Sequence, residues 1–542
     1  MPSSLFMATL IVQANPVTRY FNHLFRKDPF QGLYQLNAFD LSILIPYFTI
    51  LIILSVFGIH RYHLTHLFRK YRHKKPKPGK YFDQLPRVTV QLPIYNERYV
   101  VERLLEAVTR LDYPRELLEI QLLDDSTDET KMVASRLVSE YASAGHPITY
   151  LHRDNREGFK AGALAEGLKK ATGEFIAIFD ADFVPPPQVL RQMIHYFTDP
   201  QVAVVQGRWT WINRTMSNLT QVEAILLDGH FVIEHGGRSS SGRFFNFNGT
   251  AGMWRRTAIE DAGGWQHDTL TEDTDLSYRA QLRGWKFIYD SSIECPSELP
   301  VEMNAFKTQQ ARWAKGLTQT AKKLLPTIWR SDQPFFIKFE ATLHLTANFA
   351  YPLMVVFSII LLPAMIVRFY QGWFQMLYID LPLFIASTNS VTTFYITGQR
   401  ALYPREWGSR VKYIPFLMSV GIGLAITNAK AVIEGLLGIQ SSFVRTPKFR
   451  VEGKGDNWER KKYQRRIGWI PVVELVMAVY FLFTVVYSLE RENYLTSPFL
   501  MLFFVGYSYT GAMSLFQTPM RKLWHALPAI LRGRTSTVSV ET

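Results

Sequence analysis

Phe175-Ile176-Ala177-Ile178-Phe179-Asp180-Ala181-Asp182 is the stretch on which the fold turns. Its apolar half, Phe175 to Phe179, reads as a short strand, and the strand runs out into two carboxylates two residues apart. The same pattern recurs upstream. From Arg87 the chain reads Val-Thr-Val-Gln-Leu-Pro-Ile-Tyr-Asn-Glu97, a strand ending in a turn, and a helical pattern follows from Val100 to Leu111. Leu118 to Leu123 is a second strand, ending in Asp124-Asp125-Ser126. Ile148 to Leu151 is a third, ahead of a helix from Gly158 to Lys170. Strands alternating with helices predict an α/β domain whose mostly parallel sheet is flanked by helices, with ligands at the carboxyl ends of the strands. Three carboxylate-bearing turns fall at such ends.

Those turns suggest a chemistry. Asp180 and Asp182 at a strand exit can share a hard divalent cation, Mg2+ or Mn2+, which in turn neutralises a diphosphate leaving group. Asp-x-Asp alone is commonly no more than a solvated turn. Beside Asp124-Asp125 at a neighbouring strand end it reads as a site. Thr271-Glu272-Asp273 opens a helical pattern from Asp275 to Arg283, where acidic groups are favourable in any case. A carboxylate fixed there is also well placed to act as general base toward a sugar hydroxyl. Gln309-Gln310-Ala311-Arg312-Trp313 offers a cation for a diphosphate and an indole for a sugar ring, with Gln309 and Arg312 on one helix face. A basic amphipathic helix resting on a membrane would carry the same residues. Lys160, at a helix start, suits either a phosphate or the turn itself. His230, His235 and His267 lack the spacing of metal ligands.

The flanks differ from this middle region. The 542 residues are 47% apolar and 14% aromatic, and the mean hydropathy of −0.02 averages two populations. Long apolar runs suited to a bilayer occur at about 41–59, 345–368, 377–396, 468–489 and 495–516. Arg69, Lys70, Arg72, Lys74, Lys75 and Lys77 follow the first span, which puts its C-terminal end, and the domain after it, in the cytoplasm. Basic residues flank 413–437 on both sides, and Asn428, Lys430 and Glu434 lie in its second half. It reads as an interfacial helix, with a further crossing as the alternative. The formal charge of +14 sits beside the spans and points to anionic lipid rather than nucleic acid. The single Cys295 excludes an internal disulfide and a cysteine zinc site. The first residues carry no basic stretch or cleavage site of a signal peptide. The sequons at Asn213 and Asn248 are chance matches if the domain is cytoplasmic.

Asp124-Asp125, Asp180-x-Asp182, Thr271-Glu272-Asp273 and Gln309-x-x-Arg312-Trp313 stand in the order of the D, DxD, TED, QxxRW signature. Over about residues 85–335 the chain therefore resembles the processive family-two glycosyltransferases, in particular cellulose synthase and the cellulose-synthase-like mannan and glucan synthases. The resemblance implies a GT-A fold inserted between transmembrane helices. By the same resemblance Tyr95, Glu97 and Asp124 or Asp125 would hold the nucleoside, and Asp180 and Asp182 the nucleotide and metal. Asp273 would be the base of an inverting transfer. Gln309, Arg312 and Trp313 would line the diphosphate and acceptor end, with Glu272 beside the acceptor. Asn248, Gly249 and Thr250 match the acceptor-side segment, most closely in its mannan and glucan synthase form. Phe443, Thr446 and Lys448 match the gating loop of cellulose synthase, although Arg445 stands where that pattern has valine. No cyclic-dinucleotide-binding domain is expected after the last span.

The expected organisation is a membrane-anchoring segment (1–84), a cytoplasmic catalytic domain (85–335), a transmembrane bundle (336–520) and a basic tail (521–542). The expected activity is transfer of a hexose from UDP-glucose or GDP-mannose to a growing β-linked polysaccharide, which then crosses the membrane. A non-processive enzyme glycosylating a lipid such as ceramide or diacylglycerol is the alternative. The expected location is the inner membrane of a bacterium.

Overall fold

The computed structural model describes residues 37–369, 379–440, 445–453, 456, 458, 461 and 468–526. Its central domain holds seven strands: β1 (Val88–Ile94), β2 (Leu118–Asp124), β3 (Ile148–His152), β4 (Phe175–Ile178), β5 (Val202–Trp211), β6 (Gly252–Arg255) and β7 (Lys286–Ser297). They form one sheet in the order β3-β2-β1-β4-β6-β5-β7. The first four strands are parallel, and β6 runs antiparallel between β4 and β5. β5 and β7 are again parallel.

Side-chain alternation along β4 shows how the sheet is covered. Phe175 and Ala177 enter one core, with Val101, Leu104 and Leu105 of helix α1 (Val101–Thr109) and Leu137 of α2 (Thr130–Ser143). Ile176 and Ile178 enter the other, with Leu164 of α3 (Phe159–Lys170) and Leu276 of α4 (Glu272–Leu282). Successive residues of a strand point to opposite faces, so a four-residue apolar run serves both layers. The parallel register sets Ile94 beside Asp124 and Asp124 beside His152. The segments leaving β1, β2, β3 and β4 therefore emerge along one rim, which is where the sequence expectation set the ligand.

Among the described residues, four helices are long and apolar enough to cross a membrane: Ala38–Tyr71, Ala347–Arg368, Ile470–Glu490 and Ser497–Gln517. The first has 34 residues, roughly 50 Å at 1.5 Å per residue, more than a bilayer core of about 30 Å requires. Its last turns bury Leu64 and Leu67 against Val232 and Ile233 of the central domain. The apolar stretch expected at 377–396 begins outside the described residues. From Ile379 to Leu402 it is helical, with π turns interrupting it.

The ambiguous stretch 413–437 is two helices, α6 (Ile414–Gly423) and α7 (Ala425–Leu436); α5 is the long helix Met303–Arg330. The axis bends by 45° between Trp407–Gly423 and Ala425–Leu436. Leu417, Val420 and Leu424 pack with Phe306 of α5, Leu219 and Val222. In α7, Glu434 pairs with Lys315 of α5 at 2.9 Å. The bend lets one half follow the bundle while the other carries its polar residues to the central domain. Lys307 of α5 pairs with Glu474 of the third span at 2.5 Å, and Gln517 of the last span bonds the carbonyl of Val301 at 2.8 Å. The helix bearing Gln309, Arg312 and Trp313 is thus tied to the membrane helices by buried polar contacts.

Candidate active site

The rim of parallel strands opens into one cleft. Tyr95 and Glu97 after β1, Asp125 after β2, Arg156 after β3 and Asp180 and Asp182 after β4 line it from below. Asn248 and Gly249, Glu272 and Asp273, Gln309, Arg312 and Trp313, and Arg445, Thr446 and Lys448 complete it. Residues separated by more than three hundred positions thus share one wall.

Two expected residues serve the site from behind rather than facing it. Asp124 is fully buried; it accepts hydrogen bonds from the Tyr150 hydroxyl and the Ser126 amide, both at 2.7 Å. Of the two adjacent aspartates, Asp125 lines the cleft, held by a two-pronged contact from Arg153. Thr250 is also fully buried. Its hydroxyl accepts from the Asp180 amide at 2.8 Å, so it fixes the turn that presents Asp180. Phe443 lies outside the described residues.

Carboxylates and cations alternate across the cleft. Lys160 reaches Asp180 at 2.5 Å and the Gly249 carbonyl at 3.0 Å. Lys448 pairs with Asp182 at 2.7 Å, and Arg445 pairs with Glu97. The Arg156 guanidinium lies 3.4 Å from the centre of the Tyr95 ring. Arg445 is the residue that departs from the gating-loop pattern, and a valine there could not make its pair with Glu97. Phe449, Val451 and Trp458 are buried with Met216 and Val301, which anchors the segment that follows these cations. Arg156 and Trp209 also line the cleft and were not singled out from the sequence. Arg156 follows a strand as the acidic turns do; Trp209 lies inside β5, where an aromatic is ordinary.

Backbone strain gathers around the same rim. Among the described residues, Asn96, Phe159, Ala251, Arg450 and Glu492 are the non-glycine positions with positive φ. The first three adjoin Glu97, Lys160 and Thr250. Left-handed backbone at a bulky residue costs on the order of 1–3 kcal/mol and persists where surrounding contacts impose it. Gly249 has φ +79°, and a Cβ there would meet Asp273 Oδ2 at 3.0 Å and Lys160 Nζ at 3.4 Å. The glycine therefore leaves room for the Asp273 carboxylate beside the segment 248–250.

Asp273 sits at the start of α4 and accepts a hydrogen bond from the Thr274 amide at 2.7 Å. Burial, and then the neighbouring Glu272 charge, pushes its carboxyl up to about 7, with Lys160 opposing. Burial likewise raises Glu97 to about 7 although Arg445 pulls it down. A carboxylate balanced near neutrality inside a cleft can take a proton as a general base.

The donors present suit a divalent cation shared with a substrate. Among the described residues no group of three or more His, Cys, Asp or Glu side chains could hold a metal. Asp180 and Asp182 would supply two hard oxygen ligands, the usual protein share where phosphate oxygens and water complete the shell.

Acidic and cationic side chains alternating along the carboxyl ends of a GT-A sheet are an arrangement suited to glycosyl transfer. Residues 86–316 match the family model described as glycosyltransferase like family 2. Glucomannan 4-beta-mannosyltransferase 2 of Arabidopsis thaliana is 45% identical over 258 residues, 47% of this chain and 48% of that protein. Glucomannan 4-beta-mannosyltransferase 1 of Oryza sativa subsp. japonica is 34% identical over 455 residues, 79% of this chain and 83% of that protein. Among solved structures, mannosyltransferase PcManGT from Pyrobaculum calidifontis, in complex with GDP-Man and Mn2+, aligns at 21% identity with a TM-score of 0.46. That alignment covers 73% of this chain and 100% of PcManGT. The chain belongs to glycosyltransferase family two, in its cellulose-synthase-like mannan synthase branch. These two curated relatives are plant proteins; a membrane location is supported by the four apolar helices, whereas the bacterial membrane expected above has no support.

Proposed function

We propose that this protein is a β-mannan synthase that adds mannosyl units from GDP-mannose to the 4-hydroxyl of a growing β-1,4-linked chain, with inversion at the anomeric carbon. The extent of the similarity supports this reading most: glucomannan 4-beta-mannosyltransferase 1 of Oryza sativa subsp. japonica aligns over 79% of the chain, well beyond the catalytic domain. The catalytic domain faces the cytoplasm, and the polymer leaves through the adjoining helices.

In this mechanism Tyr95, Glu97 and Asp125 bind the nucleoside. Asp180 and Asp182 would hold Mn2+ or Mg2+, which when bound neutralises charge on the departing diphosphate. Arg312, and Lys448 from the gating-loop segment, bring positive charge to the same end of the cleft. Trp313 offers its indole to the acceptor sugar. Asp273 removes the proton from the attacking hydroxyl as its oxygen bonds to the anomeric carbon, and the bond to the diphosphate breaks on the opposite face. Inversion follows from that single displacement.

Two outcomes test the reading. Because base catalysis needs ionised Asp273, kcat/KM should fall about tenfold per pH unit as pH drops below the group's value of about 7, and level off above it. A flat profile from pH 5 to 8 would exclude that assignment. In a donor panel with Mn2+, GDP-mannose should label product while UDP-glucose does not. Preference for UDP-glucose would make the protein a glucan or lipid glucosyltransferase.

A further inference from the structure

The helix that begins at Asn218 runs through a π-helical segment, His230–His235. Such segments often mark functional positions within a helix. His230 Nδ1 lies 2.9 Å from Glu234 Oε2. An ionised carboxylate only accepts, so Nδ1 carries the hydrogen, and in a neutral imidazole Nε2 is then an acceptor. Burial opposes ionisation of Glu234, yet Arg238 and the contact with His230 hold its carboxyl well below the usual range. Arg238 in turn pairs with Glu340 at 2.9 Å, and Glu340 with His60 of the first span at 2.9 Å. The carboxylate that sets the tautomer is therefore anchored from other elements.

Asn248 Nδ2 lies 3.0 Å from His230 Nε2. In that neutral form Nε2 accepts, so the amide turns its NH2 group toward the imidazole, and its oxygen is directed elsewhere. That oxygen, Oδ1, is buried without a hydrogen-bond partner among the described residues. Asn248 itself lines the cleft. Its backbone amide is fixed by Gln206 Oε1 at 3.0 Å, and the next residue, Gly249, is the one against which Asp273 lies. A buried carbonyl oxygen left unpaired costs about 1–3 kcal/mol, and a hydroxyl of a bound sugar would satisfy it.

We propose that His230 is a positioning residue for the acceptor: through its tautomer it orients the Asn248 amide so that Oδ1 receives a hydrogen bond from a second hydroxyl of the terminal acceptor sugar, beside the hydroxyl that Asp273 deprotonates. This rests on the mannosyl-transfer reading above. It assigns to the histidine no contact with donor or metal, which separates it from the residues of the nucleotide end.

The test uses the full-length protein in nanodiscs with His230→Phe, Asn248→Ala and the double variant. Three quantities are measured: GDP affinity, transfer of mannose to polymer, and transfer to water, seen as free mannose. Each single variant should lower polymer transfer by about tenfold, the loss of one well-placed hydrogen bond. GDP affinity and release of free mannose should stay near wild type, so the ratio of hydrolysis to polymer transfer rises about tenfold as well. The double variant should be no worse than the poorer single one, because both remove the same contact. Parallel loss of polymer transfer, hydrolysis and GDP binding would overturn the proposal in favour of a structural role, and wild-type behaviour would overturn it outright. If the wild-type protein uses UDP-glucose instead of GDP-mannose, the donor reading fails, and the same ratio measured with UDP-glucose still decides the role of His230.

Discussion

Asp273→Asn is expected to lower mannosyl transfer by about 10²–10⁴-fold while GDP affinity stays within about twofold. The amide is the same size as the carboxylate and keeps an oxygen for the Thr274 amide, which donates at 2.7 Å. It has no basic oxygen for the proton of the attacking hydroxyl. Removing its charge also relieves the crowding with Glu272 and Asp180 that, after burial, raises the Asp273 carboxyl, so nucleotide binding has no reason to weaken. Stopped transfer with intact binding is the signature of a group that acts in the transition state. Equal loss of both would refute the base assignment and make Asp273 part of the binding surface. The residual activity should also lose the acid limb near pH 7.

Arg312→Ala should cost about 10²–10³-fold in kcat, the range seen when one preorganised group facing developing charge is removed. Arg312 lines the cleft among Glu272, Asp180, Asp273 and Asp182, the charges that offset the effect of its burial. It is carried by α5, which Lys307 and Lys315 tie to Glu474 and Glu434, so the guanidinium is positioned by a long, fixed helix. Charge on the diphosphate grows as its bond to the anomeric carbon breaks, and the loss in kcat should therefore exceed the loss in donor affinity. Arg312→Lys should recover only part of the rate, because an ammonium lacks the planar fork that meets two phosphate oxygens. Single-turnover measurements with saturating donor check both. An unchanged kcat for Arg312→Ala would remove the residue from the leaving-group end.

The local parts of this site were legible in the sequence, and the distant pairings were not. Asp180-x-Asp182, Asp125 and Glu97 each follow a short apolar run, and the parallel register brings such ends to one rim. Which of Asp124 and Asp125 faces the cleft depends on a single residue of phase at the strand exit, and composition does not fix it. Thr250 was legible as part of the acceptor-side segment, but its contact with the Asp180 amide joins residues 70 positions apart. Pairs such as Arg445 with Glu97 and Lys307 with Glu474 join segments even farther apart, and no local pattern carries them. The stretch 413–437 stayed ambiguous for a physical reason: it bends, with α6 in the apolar bundle and polar residues of α7 meeting α5. The spacing of His230 from the other histidines carries no sign of its partners, Glu234 one turn along and Asn248 beyond the helix.

If one membrane-embedded protein makes a β-linked mannan, its product is a mannose polymer that can be sized directly. The purified full-length protein, given radiolabelled GDP-mannose and Mn2+, supplies the direct measurement: the size of the labelled product before and after digestion with an endo-acting β-1,4-mannanase. Mannan synthesis gives a broad, high-mass product that the mannanase reduces to short oligosaccharides. A single lipid-soluble product carrying one sugar, or a polymer that the enzyme leaves intact, would contradict it.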